Sequence, residues 1–248
     1  MKIVIPSRYA STRLPGKPLA DIAGKPMIVR VWEQAVKAFE RPDDVYVAAD
    51  DTRIMDAVKA MGGNAVMTRA DHVSGTDRIA EVADAMQWTD DEIIINVQGD
   101  EPLIPPTLIK QVGECLDRHP SAHMATAACP IADMAEVNNP NAVKAVMDKS
   151  GKALYFSRAP IPYDRDGTAK LGNNTPYFRH IGIYAYRVKA LRTLAGLPPA
   201  PMETLESLEQ LRALHNSMTI MIECLSKAPP AGVDTPEDLE AVRAIFVH

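Results

Sequence analysis

The sequence has few cysteines, few aromatic residues and no long apolar run, and each shortage excludes a class of protein. Its cysteines, Cys115, Cys129 and Cys224, are far apart and never form a C-x-x-C pair. This pattern argues against a disulfide framework and against a thiolate zinc site. No segment approaches the length of a membrane span, and the apolar run near the N-terminus is too short for a signal peptide. We therefore expect a cytoplasmic protein with no membrane partner.

The chain also lacks an excess of positive charge. Its formal net charge is -5 over 248 residues, whereas a general nucleic-acid-binding domain needs a basic face. Aromatic residues make up 5% of the chain and apolar residues 46%, so the core should consist mainly of Val, Ile, Leu, Met and Ala. An anionic small-molecule substrate is still compatible with the negative charge, because a local cluster of Arg and Lys can dominate the field in a cleft.

Short apolar strands alternate with amphipathic helices in the first half of the chain. We predict strands at 2–6, 45–49, 64–67, 93–97 and 123–128, and helices at 26–39, from Asp51 to about Gly62, at 77–87 and at 106–118. This alternation predicts an α/β fold, a doubly wound and mainly parallel sheet with helices on both faces. The loops after residues 5, 49, 67 and 97 should face the ligand, because such sheets bind at the carboxyl ends of their strands.

The alternation stops after about residue 130. Residues 142–147, 153–157 and 181–187 are strand-like without regular helices between them, and 160–176 is rich in Pro, Gly, Asp and Asn. We interpret 131–200 as an irregular antiparallel extension within a single domain that spans 1–248. A strand at 219–225 and two helices, at 203–216 and from Thr235 onward, complete the prediction.

The loop from Pro6 to Pro18 is the first candidate for chemistry. It carries Arg8, Arg13 and Lys17 together with hydroxyls and a turn glycine. Arginine can fork two phosphate oxygens and lysine acts as a mobile point charge, so the loop suits a polyphosphate. The alternative is a solvated basic loop, but the position after strand one favours phosphate. The loop matches neither a P-loop nor a G-x-G-x-x-G motif, so neither a P-loop NTPase nor a dinucleotide-binding fold is indicated.

Asp100 lies in a Gln-Gly-Asp-Glu-Pro segment directly after the most apolar strand. A carboxylate there suits Mg²⁺, which takes carboxylate and phosphate oxygens together. The alternative is a helix N-cap, but Pro105 and Pro106 place the next helix several residues later. The segment Ser74–Arg78 leads into a helix with a glycine that lets backbone N–H groups approach a ligand. Capping by Thr76 or Asp77 explains that segment equally well.

Taken alone, the other acidic residues and the histidines are better explained by structural roles than by catalysis or metal binding. Asp234 helps to start the last helix, and the pair Asp50 and Asp51 is typical of helix capping. His119 and His123 have helical spacing, but Pro120 between them argues against a zinc pair.

Seven segments, in the right order along nearly the whole chain, resemble the 3-deoxy-manno-octulosonate cytidylyltransferase family, the CMP-Kdo synthetases of lipopolysaccharide biosynthesis. The segments are 8–18, 74–78, 96–102, 153–158, 179–184, 205–212 and 232–236. The resemblance implies a nucleotidyltransferase that transfers CMP from CTP to the anomeric hydroxyl of the acidic sugar Kdo and releases pyrophosphate. It also implies the fold of nucleotide-diphospho-sugar transferases, three layers in the order α/β/α.

The resemblance also implies a role for each matching residue. Catalysis falls to Lys17, Arg8, Asp100 and Asp234, and the last two would hold one or two Mg²⁺ ions, in contrast to the capping interpretation of Asp234. Nucleotide binding falls to Arg8, Ser11, Lys17, Ser74, Gly75 and Arg78. Sugar binding falls to Arg13, Gln98, His180, Tyr184, Glu209 and Gln210. The family is usually dimeric, so a homodimer is expected, with the extension at 131–200 contributing to the dimer contact and to the sugar pocket.

Two departures from the family pattern and several alternative functions accompany the resemblance. Ala49 stands where the family more often has Thr, and the loop from Arg165 to Asn174 is the least family-like stretch. The phosphate and metal groups would equally serve a cytidylyltransferase for 8-amino-Kdo or sialic acid, or a nucleotidyltransferase for a sugar 1-phosphate. A metal-dependent glycosyltransferase with a similar sheet is a further alternative. A catalytically inactive binding domain is disfavoured, because it has no need for Lys17, Asp100 and Asp234 together.

Overall fold

The computed structural model describes residues 1–10, 14–72, 74–171 and 175–246. The chain divides into two compact units. The first consists of Met1–Gln111 and Pro229–His248, and the second of Val112–Ala228. Within the described part of the chain, no helix has the length and apolar character needed to cross a membrane.

The first unit is built on four parallel strands. Its elements are β1 (Lys2–Ser7), β2 (Asp21–Ile22), β3 (Lys25–Pro26), α1 (Met27–Phe39), β4 (Val45–Ala49), α2 (Thr52–Lys59), β5 (Asn64–Met67), α3 (Gly75–Ala85), β6 (Ile93–Asn96), α4 (Pro106–Asp117) and the C-terminal helix α9 (Pro236–Phe246). Strand β1 pairs in parallel with β4 and β6, and β4 pairs in parallel with β5. The strand order in this unit is therefore β6-β1-β4-β5, which confirms the predicted parallel pairing.

Local sequence explains these elements well. The residues of β6 are all buried, as expected for an apolar strand covered on both faces. Helix α1 buries one stripe that includes Val31, Trp32 and Ala35, which is the 3.6-residue period of an amphipathic helix. Asp51 caps α2 by accepting a hydrogen bond from the backbone N–H of Arg53, so this predicted cap is confirmed.

The path of the chain locates the ligand crevice of the first unit. The chain runs from β1 through α1 to β4 and through α2 to β5, and then returns through α3 to β6 on the other side of β1. Because parallel crossovers are right-handed, α1 and α2 lie on one face of the sheet and α3 on the other. The strand order reverses between β1 and β6, and such a reversal is where doubly wound sheets bind ligands.

A short hairpin, β2–β3, contacts the C-terminal helix α9. Sequence patterns did not predict this hairpin. Arg30 of α1 donates to the carbonyls of Ile22 and Ala23, at 2.8–3.0 Å. Arg243 of α9 donates to the carbonyl of Asp21 at 2.8 Å. Ile22 also packs in one apolar cluster with Met27, Val233, Leu239 and Val242. The hairpin and α9 are thus fixed to each other by the Arg243 hydrogen bond and by a shared core.

The second unit contains a mixed sheet. Its elements after α4 are β7 (Met124–Pro130), α5 (Met134–Asn138), β8 (Lys144–Met147), β9 (Ala153–Ser157), β10 (Phe178–Arg187), α6 (Val188–Gly196), α7 (Pro201–Glu206), α8 (Gln210–His215) and β11 (Ile220–Cys224). Strands β7, β8, β9 and β10 pair antiparallel, and β11 pairs in parallel with β7. The predicted antiparallel pairing after residue 130 is therefore confirmed.

The single helix predicted at 203–216 is wrong. The segment forms two helices, α7 and α8, because Ser207 adopts a left-handed conformation with φ 52°. Arg212 of α8 donates two hydrogen bonds to the carboxylate of Glu203, at 2.6 and 2.9 Å, and so fixes the fold-back. Helix α6 was also missed.

The Glu203–Arg212 pair generates a pH-dependent stability prediction. The two side chains are 11% and 12% exposed, so Arg212→Ala should lower the free energy of unfolding by about 3 kcal/mol at neutral pH. Burial opposes ionisation of Glu203, but hydrogen bonds from Arg212 and from the Ala200 N–H outweigh it and lower the pKa of Glu203 below its ordinary 4.5. This stabilisation is complete above the unfolded-state pKa and disappears as the pH falls through the lowered folded-state pKa.

Urea denaturation of both proteins at neutral and at acidic pH measures this difference, which should shrink in acid. Arg69→Ala is the control, because its partner Asp71 and Arg69 itself are 75% and 68% exposed, and such pairs contribute at most about 1 kcal/mol. An equal loss for Arg212→Ala at both pH values would show that the pair does not act through its charge.

Candidate active site

A cavity of about 410 Å³ opens at the carboxyl ends of β1 and β6, where the strand order reverses. The loop after β1, the start of α3 and the loop after β6 all contribute to its wall. The lining residues are Pro6, Ser7, Arg8, Ala10, Lys17, Pro18, Met27, Gly75, Gln98, Gly99 and Asp100. Five residues predicted from the sequence, Arg8, Lys17, Gly75, Gln98 and Asp100, are therefore brought to one cavity.

Lys17 joins two carboxylates at this cavity. Its ammonium nitrogen lies 2.7 Å from Oδ2 of Asp100 and 3.1 Å from Oδ1 of Asp234. The lysine side chain is only 12% exposed, whereas those of Asp100 and Asp234 are 39% and 52% exposed. Gly16, at φ 67°, precedes the short 3-10 turn that begins at Lys17. This left-handed position turns the chain so that Lys17 can reach both acids.

Asp100 is held by a close approach of two backbones. A Cβ atom on Gly99 would lie 2.7 Å from the carbonyl oxygen of Pro6, so only glycine lets the loop after β6 pass so near the end of β1. The backbone N–H of Val233 donates to the carbonyl of Asp100 at 2.8 Å. That hydrogen bond brings the segment before α9 alongside the loop after β6.

Asp234 does not cap the last helix. The backbone N–H groups of Asp234 and Thr235 donate to the carboxylate of Asp238, and the Asp238 N–H donates to the hydroxyl of Thr235. Thr235 and Asp238 thus form a reciprocal capping arrangement. The capping interpretation of Asp234 is therefore wrong, because its carboxylate faces Lys17 instead.

The acidic pair offers the donor chemistry of a Mg²⁺ site. Mg²⁺ in proteins is commonly held by one or two carboxylates together with substrate phosphates rather than by a complete protein cage. Asp100 and Asp234 already converge on one cation, the Lys17 ammonium. No group of three or more His, Cys, Asp or Glu side chains suited to a metal occurs among the described residues. The residues present fit an ion that takes its remaining ligands from substrate and water.

Glu101, next to Asp100, is a group to which the sequence analysis gave no role. Burial, together with the charge of Asp100, raises the pKa of Glu101 to about 7. The Glu101 side chain also lies close to Gly232, since a Cβ atom on that glycine would meet Glu101 Cγ at 3.3 Å. A carboxyl group with a raised pKa therefore borders the Asp100 site.

The base of the cationic loop is fixed by Tyr9. Its backbone N–H donates to Oδ1 of Asp50 at 2.9 Å, and its ring lies 3.5 Å from the guanidinium carbon of Arg53. Arg53 is in turn held by Asp51 through hydrogen bonds of 2.7 and 2.9 Å. The capping interpretation is confirmed for Asp51, whereas Asp50 supports the loop. The predicted site residues Ser11 and Arg13 lie outside the described residues.

The segment Ser74–Arg78 combines a helix cap with a buried arginine. Ser74 is the N-cap of α3, in a capping box with Asp77, so the cap is Ser74 rather than Thr76. Arg78 has no exposed surface and donates to Thr68 and, at 3.3 Å, to Oδ2 of Asp50. Burial lowers the pKa of Arg78, although the charge of Asp50 opposes the shift. The guanidinium thus supports Asp50, which in turn holds Tyr9.

The remaining predicted sugar-binding residues lie in the second unit. His180 Nε2 lies 2.9 Å from the Thr126 hydroxyl, and burial lowers the pKa of His180 to about 3, so the ring is neutral. The rings of His180 and Tyr184 are 5.5 Å apart. Burial raises the pKa of Tyr184 well above its ordinary value, and the charge of Glu209 contributes to the rise. These three side chains therefore lie together, and Gln210, next in sequence to Glu209, is buried.

Replacing Gly99 generates a stability prediction for the cavity wall. In Gly99→Ala the new methyl group would lie 2.7 Å from the carbonyl oxygen of Pro6. Because the backbone must shift to relieve this clash, the free energy of unfolding should fall by about 1–3 kcal/mol. Gly196→Ala is the matched control, because no atom lies within 4 Å of a Cβ atom there. Urea denaturation should leave the control near wild type, and equal stability of the two variants would disprove the close approach.

Comparison with known proteins agrees with this geometry. A family model described as cytidylyltransferase matches residues 2–220. The chain is 53% identical over 230 residues to the 3-deoxy-manno-octulosonate cytidylyltransferase of Hahella chejuensis (strain KCTC 2396). The alignment covers 91% of this chain and 89% of that protein. The structure of CMP:2-keto-3-deoxy-manno-octonic acid synthetase complexed with CTP matches with a TM-score of 0.90 and 45% identity, over 99% of this chain and 98% of that one.

A more distant structure, a cytidylyltransferase from Leptospira borgpetersenii serovar Hardjo-bovis (strain JB197), matches with a TM-score of 0.64 at 15% identity, over 99% of this chain and 86% of that one. At that identity the match shows a shared fold alone. The predicted α/β fold class is confirmed by the structural matches. With a family model that covers most of its length and a relative at 53% identity, the chain belongs to the cytidylyltransferase family and, within it, to the 3-deoxy-manno-octulosonate cytidylyltransferases.

Proposed function

We propose that this chain transfers CMP from CTP to the anomeric hydroxyl of 3-deoxy-D-manno-octulosonate (Kdo) and releases pyrophosphate. The observation that carries the proposal is the Lys17 ammonium between the carboxylates of Asp100 and Asp234, at the ligand crevice of a doubly wound sheet. The relatives at 53% and 45% identity are named for this acidic sugar, and the second of them was solved in complex with CTP. Homology and site chemistry therefore support the same reaction.

Arg8 and Lys17 bind the triphosphate in this proposal. Both line the cavity, and a lysine ammonium has three donor protons. Its contacts with Asp100 and Asp234 bring the ammonium to the metal site, and in the proposed complex it turns to a phosphate oxygen. The two residues hold the phosphates in line for displacement and stabilise the negative charge that develops on the departing pyrophosphate.

Asp100 and Asp234 hold one Mg²⁺ ion in this proposal, and a second ion can accompany the triphosphate. The two carboxylates and Lys17 carry a net charge of about -1 together, which suits a divalent ion that must also bind phosphate. When bound, the ion polarises the α-phosphate and lowers the pKa of the attacking hydroxyl. The protein's part is to fix both carboxylates on one side of the crevice, through Gly99 and the Val233 N–H.

The sugar-binding roles that the resemblance implies stay part of the proposal. They fall to Gln98 of the first unit, to Arg13 and, in the second unit, to His180, Tyr184, Glu209 and Gln210. His180 is neutral, because burial lowers its pKa to about 3. It therefore exchanges hydrogen bonds with sugar hydroxyls and contributes no charge. Gln210 supports a polar contact of this kind, since its buried Nε2 has no hydrogen-bond partner among the described residues.

The homodimer expected from the resemblance stays a prediction, as does the cytoplasmic location. Leu154 of β9 and Leu205 of α7 are 56% and 87% exposed. Of these two, Leu154 lies in the segment 131–200 assigned to the dimer contact, and its exposure is compatible with burial against a second copy.

A pyrophosphate-release assay tests the proposed reaction. With CTP, Mg²⁺ and Kdo the protein should release pyrophosphate, and removal of divalent ions with a chelator should stop the release. The same assay with 8-amino-Kdo, sialic acid and a sugar 1-phosphate decides between related sugars. A higher kcat/KM for any of these than for Kdo would refute Kdo as the substrate, and full activity without divalent ions would refute the metal.

Substitution of the central cluster should remove turnover without unfolding the protein. Each of Lys17→Ala, Asp100→Asn and Asp234→Asn should lower kcat by about 10²–10³, because each removes one preorganised charge at the reacting phosphate. Lys25→Ala is the control, since Lys25 lies in the nearby hairpin and pairs with Glu33 instead. Steady-state kinetics and circular dichroism give the two readouts. Near-normal turnover in any cluster variant would refute its assignment.

A further inference from the structure

We propose that the hydroxyl of Ser7 binds the nucleotide by hydrogen bonding to the cytosine base of CTP. Neither the sequence motifs nor the family resemblance assigned Ser7 a role. The proposal rests on the proposed function for the identity of the nucleotide.

Ser7 is a buried polar residue whose hydroxyl is not satisfied within the protein. It is the last residue of β1 and is 4% exposed, and its Oγ has no hydrogen-bond partner among the described residues. Buried hydroxyls nearly always have a partner, because desolvation without one is unfavourable. An unpaired group of this kind at a ligand crevice is explained by a partner that arrives with the ligand.

The surroundings of Ser7 leave room for a flat group. Ser7 lines the cavity, and the loops on either side present glycines. A Cβ atom on Gly99 would lie 3.6 Å from Ser7 Cβ, and one on Gly75 would lie 3.5 Å from Pro6 Cγ. The Cβ positions of both glycines already face protein atoms, so the room for a planar ring is the cavity of about 410 Å³ that Ser7 lines.

The distribution of charge in the cavity favours the base over the triphosphate as the partner of Ser7. The charged lining groups are Arg8, Lys17 and Asp100, which the proposed function assigns to the phosphates and the metal ion. Apolar lining comes from Pro6, Ala10, Pro18 and Met27, and such a surface suits the face of a pyrimidine. A serine hydroxyl both donates and accepts, so it can pair with the ring acceptors or the amino group of cytosine. Rotation about Cα–Cβ between staggered positions turns the hydroxyl toward the ligand.

The variant Ser7→Ala should change stability and nucleotide binding in opposite directions. Without ligand its Tm should rise slightly, because the substitution removes an unpaired buried hydroxyl. The CTP-induced rise in Tm should become smaller, and the Kd for CTP by calorimetry should increase about three- to tenfold, the effect of one neutral hydrogen bond. A CTP affinity equal to that of wild type would overturn the proposal.

Two ligand fragments separate base from phosphate contact. The Kd of cytidine should increase in Ser7→Ala by the same factor as that of CTP, and the Kd of inorganic tripolyphosphate should not change. A weaker affinity for tripolyphosphate, with that of cytidine unchanged, would place the contact on the phosphates and overturn the proposal. Both titrations measure binding alone, so they remain decisive for Ser7 even if the transfer to Kdo fails.

Ser157→Ala is the matched control. Ser157 is 3% exposed, but its hydroxyl donates to Oε1 of Glu206 at 2.6 Å and accepts from the Ala159 N–H at 3.0 Å. Its loss should lower the Tm and leave the CTP-induced rise in Tm unchanged. A buried serine with partners and one without should therefore give opposite signatures, and identical signatures would overturn the proposal.

Discussion

The ammonium of Lys17 between two carboxylates is the contact around which the first unit is organised. Lys17 is separated along the chain from Asp100 by 83 residues and from Asp234 by 217. Three charged groups held at one place need rigid support. If the two carboxylates moved away, the mostly buried Lys17 ammonium would lose its partners, and that loss would destabilise the fold. The support comes from Gly99, which passes the Pro6 carbonyl, from the Val233 N–H on the Asp100 carbonyl, and from the hairpin attached to α9.

The same arrangement explains why the cluster suits chemistry on a triphosphate. Two carboxylates alone would repel the nucleotide, whereas two carboxylates with a divalent ion and a lysine attract it. The loop that carries Arg8 is anchored through Tyr9 to Asp50, and Asp50 is held by the buried Arg78. The resemblance implies that Arg78 lies near the nucleotide. Its guanidinium is buried within the protein, so Arg78 is positioned to act through this chain of contacts.

Sequence patterns predicted helices and strands correctly where the local periodicity of the sequence agrees with the burial of the side chains. The strands at 45–49 and 64–67 were predicted with their observed bounds, and the first of them is an apolar run of the kind that a parallel sheet buries. They failed where tertiary contacts override local preference. The helical pattern around Ser207 gives no sign of its left-handed turn, which the Glu203–Arg212 pair stabilises. Two-residue strands such as β2 and β3 are too short to leave a periodic signal.

The site shows the same division. Lys17 and Asp100 could be found from their positions at strand ends, but Asp234 precedes a helix, and only the structure shows that Thr235 and Asp238 do the capping. Ser7 gave no signal because a serine at a strand end is ordinary until its hydroxyl is seen to lack a partner.

The cluster of Lys17, Asp100 and Asp234 can be tested directly by crystallising the protein with CTP and with Mn²⁺ in place of Mg²⁺. The anomalous scattering of manganese then locates the ion. A manganese peak should lie roughly 2.2 Å from carboxylate oxygens of both Asp100 and Asp234, with Lys17 turned to a phosphate oxygen. Manganese bound elsewhere, with Lys17 still bridging the two carboxylates beside the bound nucleotide, would contradict the proposed arrangement.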